Sequence, residues 1–345
     1  NNNKRKQMNN LKKVGLSALA GSLAMMSAST ADITVGGSGE VTYTSEGGDT
    51  SNNGNPWGVS QTISFTGTGE LDNGYSYKFY TEMAGSDMTA DSSYVQFDAG
   101  DMGKFGIDQG VGQYGIGTIA LSIPTAYEEA DHAVGVLADG LDVTGDTQTL
   151  GYINTFAGVS VNVEINPNHG NANKSEAGGH SGTAASSTGS NINWALKYAL
   201  PNVEGLELRF GASETDITNA GEADDQEWTA AVRYAVGPVT MGYQMSEIQS
   251  GTAAANGENV QAYGVAFNVN DNFSISYGVN KNESDKTGGT STAAAANITE
   301  KSTGIQASYT MGSASFRIAN NEATGVNGVS GAKDENTEIS LSLSF

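Results

Sequence analysis

The chain has 345 residues, with 46 Gly, 5 Pro, no Cys, and 16 Lys and Arg against 38 Asp and Glu, a formal net charge of −22. Without cysteine there is no disulfide scaffold, thiol nucleophile or Cys-based metal site, and the acidity argues against nucleic acid, whose phosphates are bound by clustered Lys and Arg. The glycines keep no three-residue period and there are no sustained heptads, which excludes collagen and a full-length coiled coil, while 37% hydrophobic residues is low for a large buried core.

Residues 1–31 read as a secretory signal peptide. Lys4, Arg5, Lys6, Lys12 and Lys13 make a basic start, an uncharged and mildly apolar run follows from Val14 to Met26, and Ser29 and Ala31 supply the small residues before a cleavage point. The run is too short and serine-rich to span a bilayer. Met8 reads as the natural start, with residues 1–7 as extra upstream sequence. Cleavage leaves 32–345 as one domain, with 38 acidic and 11 basic residues and a net charge of about −27. No later segment has 18 consecutive apolar residues, so any membrane crossing is by strands rather than helices.

From Asp32 onward the dominant period is two. Tyr75, Tyr77 and Phe79 alternate with Ser76, Lys78 and Tyr80; Leu206, Leu208 and Phe210 alternate with Glu207 and Arg209; Ile339, Leu341, Leu343 and Phe345 alternate with serines. The pattern predicts sixteen strands, at 32–44, 58–70, 74–84, 91–98, 102–109, 148–155, 158–166, 190–199, 203–213, 227–236, 238–249, 258–268, 272–282, 302–310, 313–322 and 336–345. The gaps between them run long, short, long, short, with turn residues in short links such as Leu71-Asp72-Asn73 and Leu200-Pro201-Asn202.

An even strand number, tight turns at one rim and long loops at the other are expected of an all-β, transmembrane antiparallel β-barrel of the outer-membrane type. In lipid every backbone N–H and C=O must pair within the protein, and a sheet manages this only by closing. Soluble sandwiches, propellers and extracellular fibres also give sheets with one wet face, but no repeat of fixed spacing is present to suggest blades or coils.

At this point the chain resembles the Gram-negative general porins, especially the sixteen-stranded trimeric kind of alphaproteobacteria. The resemblance is carried by Asp32-Ile33-Thr34-Val35-Gly36-Gly37-Ser38-Gly39-Glu40-Val41 and by the turn Gly69-Glu70-Leu71-Asp72-Asn73-Gly74. It is carried further by Tyr94-Val95-Gln96-Phe97 followed by Gly100-Asp101-Met102-Gly103-Lys104-Phe105-Gly106-Ile107-Asp108, and by the terminal Phe345. It covers essentially all of 32–345. It implies a water-filled channel for passive diffusion of small hydrophilic solutes and ions, a homotrimer, and residence among the lipids and lipopolysaccharide of a Gram-negative outer membrane. It also implies Phe345 as the assembly signal read by the barrel-assembly machinery. One departure is that only three arginines follow the signal peptide, where such porins commonly set an arginine cluster opposite their constriction loop.

The longest gap, residues 110–147, falls where such porins fold a constriction loop into the channel. It opens on a glycine-rich stretch and carries Glu128, Glu129, Asp131, Asp139, Asp142 and Asp146. The strand register places Lys78, Lys104, Lys197, Arg209, Arg233 and Arg317 on the lumen side, as the cost of a lipid-facing Lys or Arg requires. Strands 1 and 16 meet on closure, so Lys78, Lys104 and Arg317 are the expected basic side of the eyelet, facing Glu128, Glu129 and Asp131. The acidic balance predicts weak cation preference.

No cofactor is expected. His132, His169 and His180 form no metal motif, and His132 reads as a charged or hydrogen-bonded wall residue. Loop carboxylates such as Asp216, or Glu222 with Asp224 and Asp225, could hold surface Ca²⁺. Nothing gives a nucleophile setting for an enzyme. Trp57, Trp194 and Trp228 fit an aromatic girdle. The alternative reading is a non-transport outer-membrane barrel, acting as an adhesin or a structural surface protein.

Overall fold

The computed structural model describes residues 32–345 apart from 50–53, 86–87, 121, 135–140, 142–147, 168–187, 219–220, 252–256 and 286–298. The expected signal peptide, His169 and His180, and Asp139, Asp142 and Asp146 lie outside the described residues. The first eight strands are β1 (Asp32–Gly48), β2 (Trp57–Glu70), β3 (Ser76–Ala84), β4 (Thr89–Asp98), β5 (Lys104–Gln109), β6 (Thr149–Phe156), β7 (Val159–Asn166) and β8 (Thr188–Ala199). The second eight are β9 (Leu206–Ile217), β10 (Asp225–Val236), β11 (Val239–Gln249), β12 (Gly257–Asn270), β13 (Phe273–Asp285), β14 (Thr299–Met311), β15 (Ala314–Thr324) and β16 (Lys333–Ser344). Each pairs antiparallel with its chain neighbours, and β1 pairs with β16 to close a sixteen-stranded barrel.

Every expected strand has one counterpart, and the differences sit at the ends. β1 runs to Gly48 and β16 starts at Lys333 because Gly47 pairs with Glu335 and Gly48 with Asp334. Those polar residues hide the alternation, yet the ladder continues above the apolar band. The closing seam finishes at the other end with two backbone hydrogen bonds. The Gly37 N–H donates to the Phe345 carbonyl at 3.1 Å, and the Phe345 N–H donates to the Gly37 carbonyl at 3.0 Å.

The links alternate between rims. At the short rim, residues 157–158 form the β6–β7 turn, where Ala157 (φ 49°) and Gly158 (φ 84°) both take left-handed backbone, the geometry that matches the twist of a two-residue hairpin. The 110–148 segment is the third connection at the opposite rim, between β5 and β6.

Side chains divide by face as a two-residue period demands. Along β16, Asp334, Asn336, Glu338 and Ser340 are buried, while Ile339 and Leu343 between and beyond them are about half exposed. Large exposed apolar residues occupy the same outward face on strand after strand, among them Phe79, Phe105, Phe210, Val265 and Ile305. Trp57, Trp194 and Trp228 share that face; Trp57 meets Tyr43 edge-on, with ring centroids 5.1 Å apart. The outward parity also holds Lys281 and Lys301, paired with each other. They lie near the long-loop ends of β13 and β14, where a lipid-facing lysine costs little.

The face assignment is testable within one hairpin. Ile305→Arg, at the middle of β14 on the outer face, is expected to destabilise the folded barrel in lipid vesicles by about 2–4 kcal/mol. Ser274→Arg, on the inner face of β13, is expected to change it by much less. Urea titration of both variants in the same vesicles compares them.

Candidate functional site

The segment after β5 folds along the inner face of the barrel, and its route is fixed by contacts with nearly every strand it passes. At its root the Asp108 carboxylate accepts the N–H groups of Val111 (2.9 Å) and Gln113 (2.5 Å). The Tyr114 ring then lies over Gly106 and Gly151 on β5 and β6, and its hydroxyl accepts a hydrogen bond from Gln96 Nε2 at 3.2 Å. The N–H of Gly115 donates to Asn162 Oδ1 on β7 at 2.9 Å, and that of Ile116 to Asn193 Oδ1 on β8 at 2.8 Å.

Ile116 and Ile119 pack with Leu141 and Ala195, over Gly211 of β9. On β11, Gln244 accepts the Ser122 N–H at 3.0 Å and donates to the Ala120 carbonyl at 2.7 Å. Pro124 and Ile123 cover Gly242 and Gly264. The Ala126 N–H reaches Ser276 Oγ on β13 at 2.8 Å, and Asn321 Nδ2 on β15 donates to the carbonyls of Glu129 and His132, both at 3.0 Å. Val134 ends this stretch against Ala323 and Val326.

Two residue types build this track. Glycines in the wall let the loop approach closely: a Cβ on Gly304 would sit 2.9 Å from Ala130 Cα. Amide and hydroxyl side chains supply the partners that an irregular backbone lacks when packed against a wall. Two-residue alternation by itself gives neither type a role. The available signal was glycine at inward register inside strands, which marks a close approach of another backbone.

The acidic end of the loop docks where the barrel closes. Tyr127 donates its hydroxyl to Glu338 on β16 and lies 3.2 Å from Glu40 Oε1 on β1. Arg317 on β15 pairs with Glu40 at 2.8 Å, and its guanidinium sits over the Tyr127 ring at 4.5 Å from the centroid. His132 lies between two carboxylates, with Nδ1 3.7 Å from Glu128 and Nε2 3.4 Å from Glu338. The hydrogen bond to Glu338 raises the His132 pKa above the ordinary imidazole value; burial opposes the shift, and Glu128 adds to it. A raised pKa makes the imidazolium's hold on the loop fullest below the usual histidine range and lost as pH rises through the raised value.

The expected site residues are distributed along this track. Glu128 faces His132, and Glu129 lines a small cavity between loop and wall with Ser122, Ala130 and Gln244. Asp131 is buried, with its Oδ1 3.4 Å from Asn280 Nδ2, so it turns to the wall. Arg317 alone of the expected basic trio meets the loop's acidic end. Lys104, the first residue of β5, pairs with Asp98 at 3.2 Å, and Lys78, near the start of β3, lies 5.4 Å from the Tyr94 ring centroid. Both therefore stand toward the short-turn rim.

The other three basic residues form a group of their own. Lys197 pairs across strands with Arg209, and Arg233 with Glu207. Arg209 Nε is 2.6 Å from Glu207 Oε1, and its Nη1 is 3.4 Å from Ser122 Oγ of the loop. β9 lies eight strands from β1 in either direction round the barrel, so this group and the Glu40–Glu338 cluster occupy opposite walls. Among the surface carboxylates, Asp216 accepts from Ser190, Asp224 from the Ile217 N–H, and Asp225 from Ser250 and the Gly251 N–H. These bonds tie strand ends together at the long-loop rim.

Gln244→Leu would leave the Ser122 N–H and the Ala120 carbonyl without their wall partner, at about 1–3 kcal/mol for each group. The expected outcome is hydrogen exchange at the Ser122 amide at least about tenfold faster, with exchange of the β11 ladder unchanged.

Comparison with known proteins agrees with this architecture. A family profile described as Gram-negative porin matches residues 15–313. Among solved structures, a porin superposes with a TM-score of 0.62 at 15% identity, covering 91% of this chain and 100% of its own. The anion-selective porin from Comamonas acidovorans gives 0.61 at 13%, with 91% and 100% covered. The outer membrane protein OmpT of Vibrio cholerae, in its trimer form, gives 0.65 at 10%, with 91% and 99% covered. At such identities the likeness is one of fold. No curated protein matches the chain by sequence. With the profile spanning most of its length, the chain belongs to the Gram-negative porin family.

Proposed function

We propose that the protein is a water-filled channel for passive diffusion of small hydrophilic solutes and ions across a Gram-negative outer membrane, with weak cation preference. The observation that carries this reading is the loop pinned along the inner wall of a closed barrel by Asn162, Asn193, Gln244 and Asn321. Sixteen strands make a barrel wide enough for an aqueous lumen, and a loop fastened inside it narrows the passage without sealing it by a mobile plug. No covalent step is needed.

The selectivity reading rests on where charge lies. Glu128 and Glu129 on the loop, with Glu40 and Glu338 behind them, make the acidic side. Lys197, Arg209 and Arg233 make the basic side, on the opposite wall. Arg317 belongs to the acidic end through Glu40, and Lys78 and Lys104 add positive charge to the inner wall. Opposed charges across a narrow aqueous gap set up a transverse field that is weakly screened there. Export by residues 1–31, trimerisation, contact with lipopolysaccharide and recognition of Phe345 by the assembly machinery belong to the same reading.

Reconstitution in planar bilayers tests it. Discrete conductance steps and a zero-current potential of the sign for cation preference are expected across a salt gradient. Glu128→Gln is expected to move that potential toward zero, and the double change Lys197→Gln with Arg233→Gln to move it further toward cations. Clear anion preference would contradict the selectivity reading. The absence of conductance would contradict the channel, as an adhesin or structural barrel requires.

A further inference from the structure

Where the loop meets β16, the Glu128 carboxylate, the His132 imidazole and the Glu338 carboxylate each place a ligand-capable atom within 4.8 Å of the other two. The loop pair and Glu338 lie more than 200 residues apart in the chain, with 206 between His132 and Glu338, and two of the three residues are tied to further partners. Asn321 holds the His132 carbonyl at 3.0 Å. The Glu338 carboxylate receives the Tyr127 hydroxyl on one oxygen and lies 3.4 Å from Thr44 Oγ1 on the other. The Tyr127 and Thr44 contacts lie on the Glu338 carboxylate itself, as the outer partners that orient a metal ligand do. The side chains of Glu128 and His132 are 32% and 38% exposed, so the site can be reached from water, while Glu338 at 9% forms its floor.

The charge balance favours a dication. Glu40, Glu128, Asp131 and Glu338 supply four negative charges around this point, against Arg317 and, at most, a protonated His132. An added dication with a neutral imidazole brings the positive total to three. One imidazole nitrogen with two carboxylate oxygens is a donor set that suits a first-row transition ion over Mg²⁺ or Ca²⁺, which take oxygen ligands. We propose that Glu128, His132 and Glu338 form a binding site for a divalent transition ion such as Zn²⁺, which staples the loop to β16. Binding requires the neutral imidazole, so a proton leaves His132 to solvent as the ion enters. Three protein ligands leave the remaining coordination positions to water on the lumen side.

Binding can be read on the full-length protein in detergent, independently of conduction. Calorimetric titration of metal-free protein with Zn²⁺ in mildly alkaline buffer is expected to show one site per chain and a rise in Tm with added ion, with no competition from excess Mg²⁺. His132→Gln is expected to lose both effects, as is Glu128→Gln, whose partly exposed side chain makes it the milder change to folding. Tyr127→Phe, which removes only an orienting partner, is expected to weaken Zn²⁺ about tenfold. Absence of Zn²⁺ binding to the unaltered protein overturns the proposal. So does undiminished binding by the Glu128→Gln and His132→Gln variants, which would put the ion elsewhere on the chain.

Discussion

The structure depends on one constraint: at bilayer depth every backbone N–H and C=O must find its partner inside the protein. The β1–β16 ladder, from Ser38–Ser344 to Gly48–Asp334, removes the last free edge of the sheet. Closure then dictates the rest. A closed sheet has an outer and an inner face, so the two-residue period becomes an apolar exterior and a polar interior. This explains why a chain of this size carries only 37% hydrophobic residues.

The same constraint recurs one level in. A loop laid along the inner wall carries backbone groups that no ladder satisfies, and the wall answers with Asn162, Asn193, Gln244, Ser276 and Asn321. Their bonds only reach because Gly211, Gly242, Gly264 and Gly304 let the loop come close. The loop is thus held by many modest interactions spread round the barrel, with its acidic end fastened at the closure seam through Tyr127, His132 and Arg317. The part of the chain that would shape a passage is thereby as well anchored as an extra layer of the wall.

Much of this was legible in the sequence. Alternation over nine or more residues locates a strand and its two faces, and the length of the gap after β5 marked the loop. Parity, however, gives a face and not a height or a neighbour. It set Lys78, Lys104 and Arg317 on the inner wall, but their contacts with Tyr94, Asp98 and Glu40 depend on stagger between strands. Asp131 and Glu128 look alike in the sequence, yet one is buried against Asn280 and the other faces His132. The pairs that anchor the loop are remote, with Gln244 122 residues from Ser122 and Glu338 211 from Tyr127, and no local pattern announces them.

The central claim is that adjacent residues of each strand meet different solvents, and the absence of native cysteine makes this directly measurable. Single cysteines at Lys78, Phe79, Ser274, Ile275, Ser308 and Tyr309 can be exposed, in lipid vesicles, to a charged thiol reagent that does not enter hydrocarbon. The account predicts rapid modification at 78, 274 and 308 and protection at 79, 275 and 309. Equal modification of neighbours, or the reverse pattern, would contradict it.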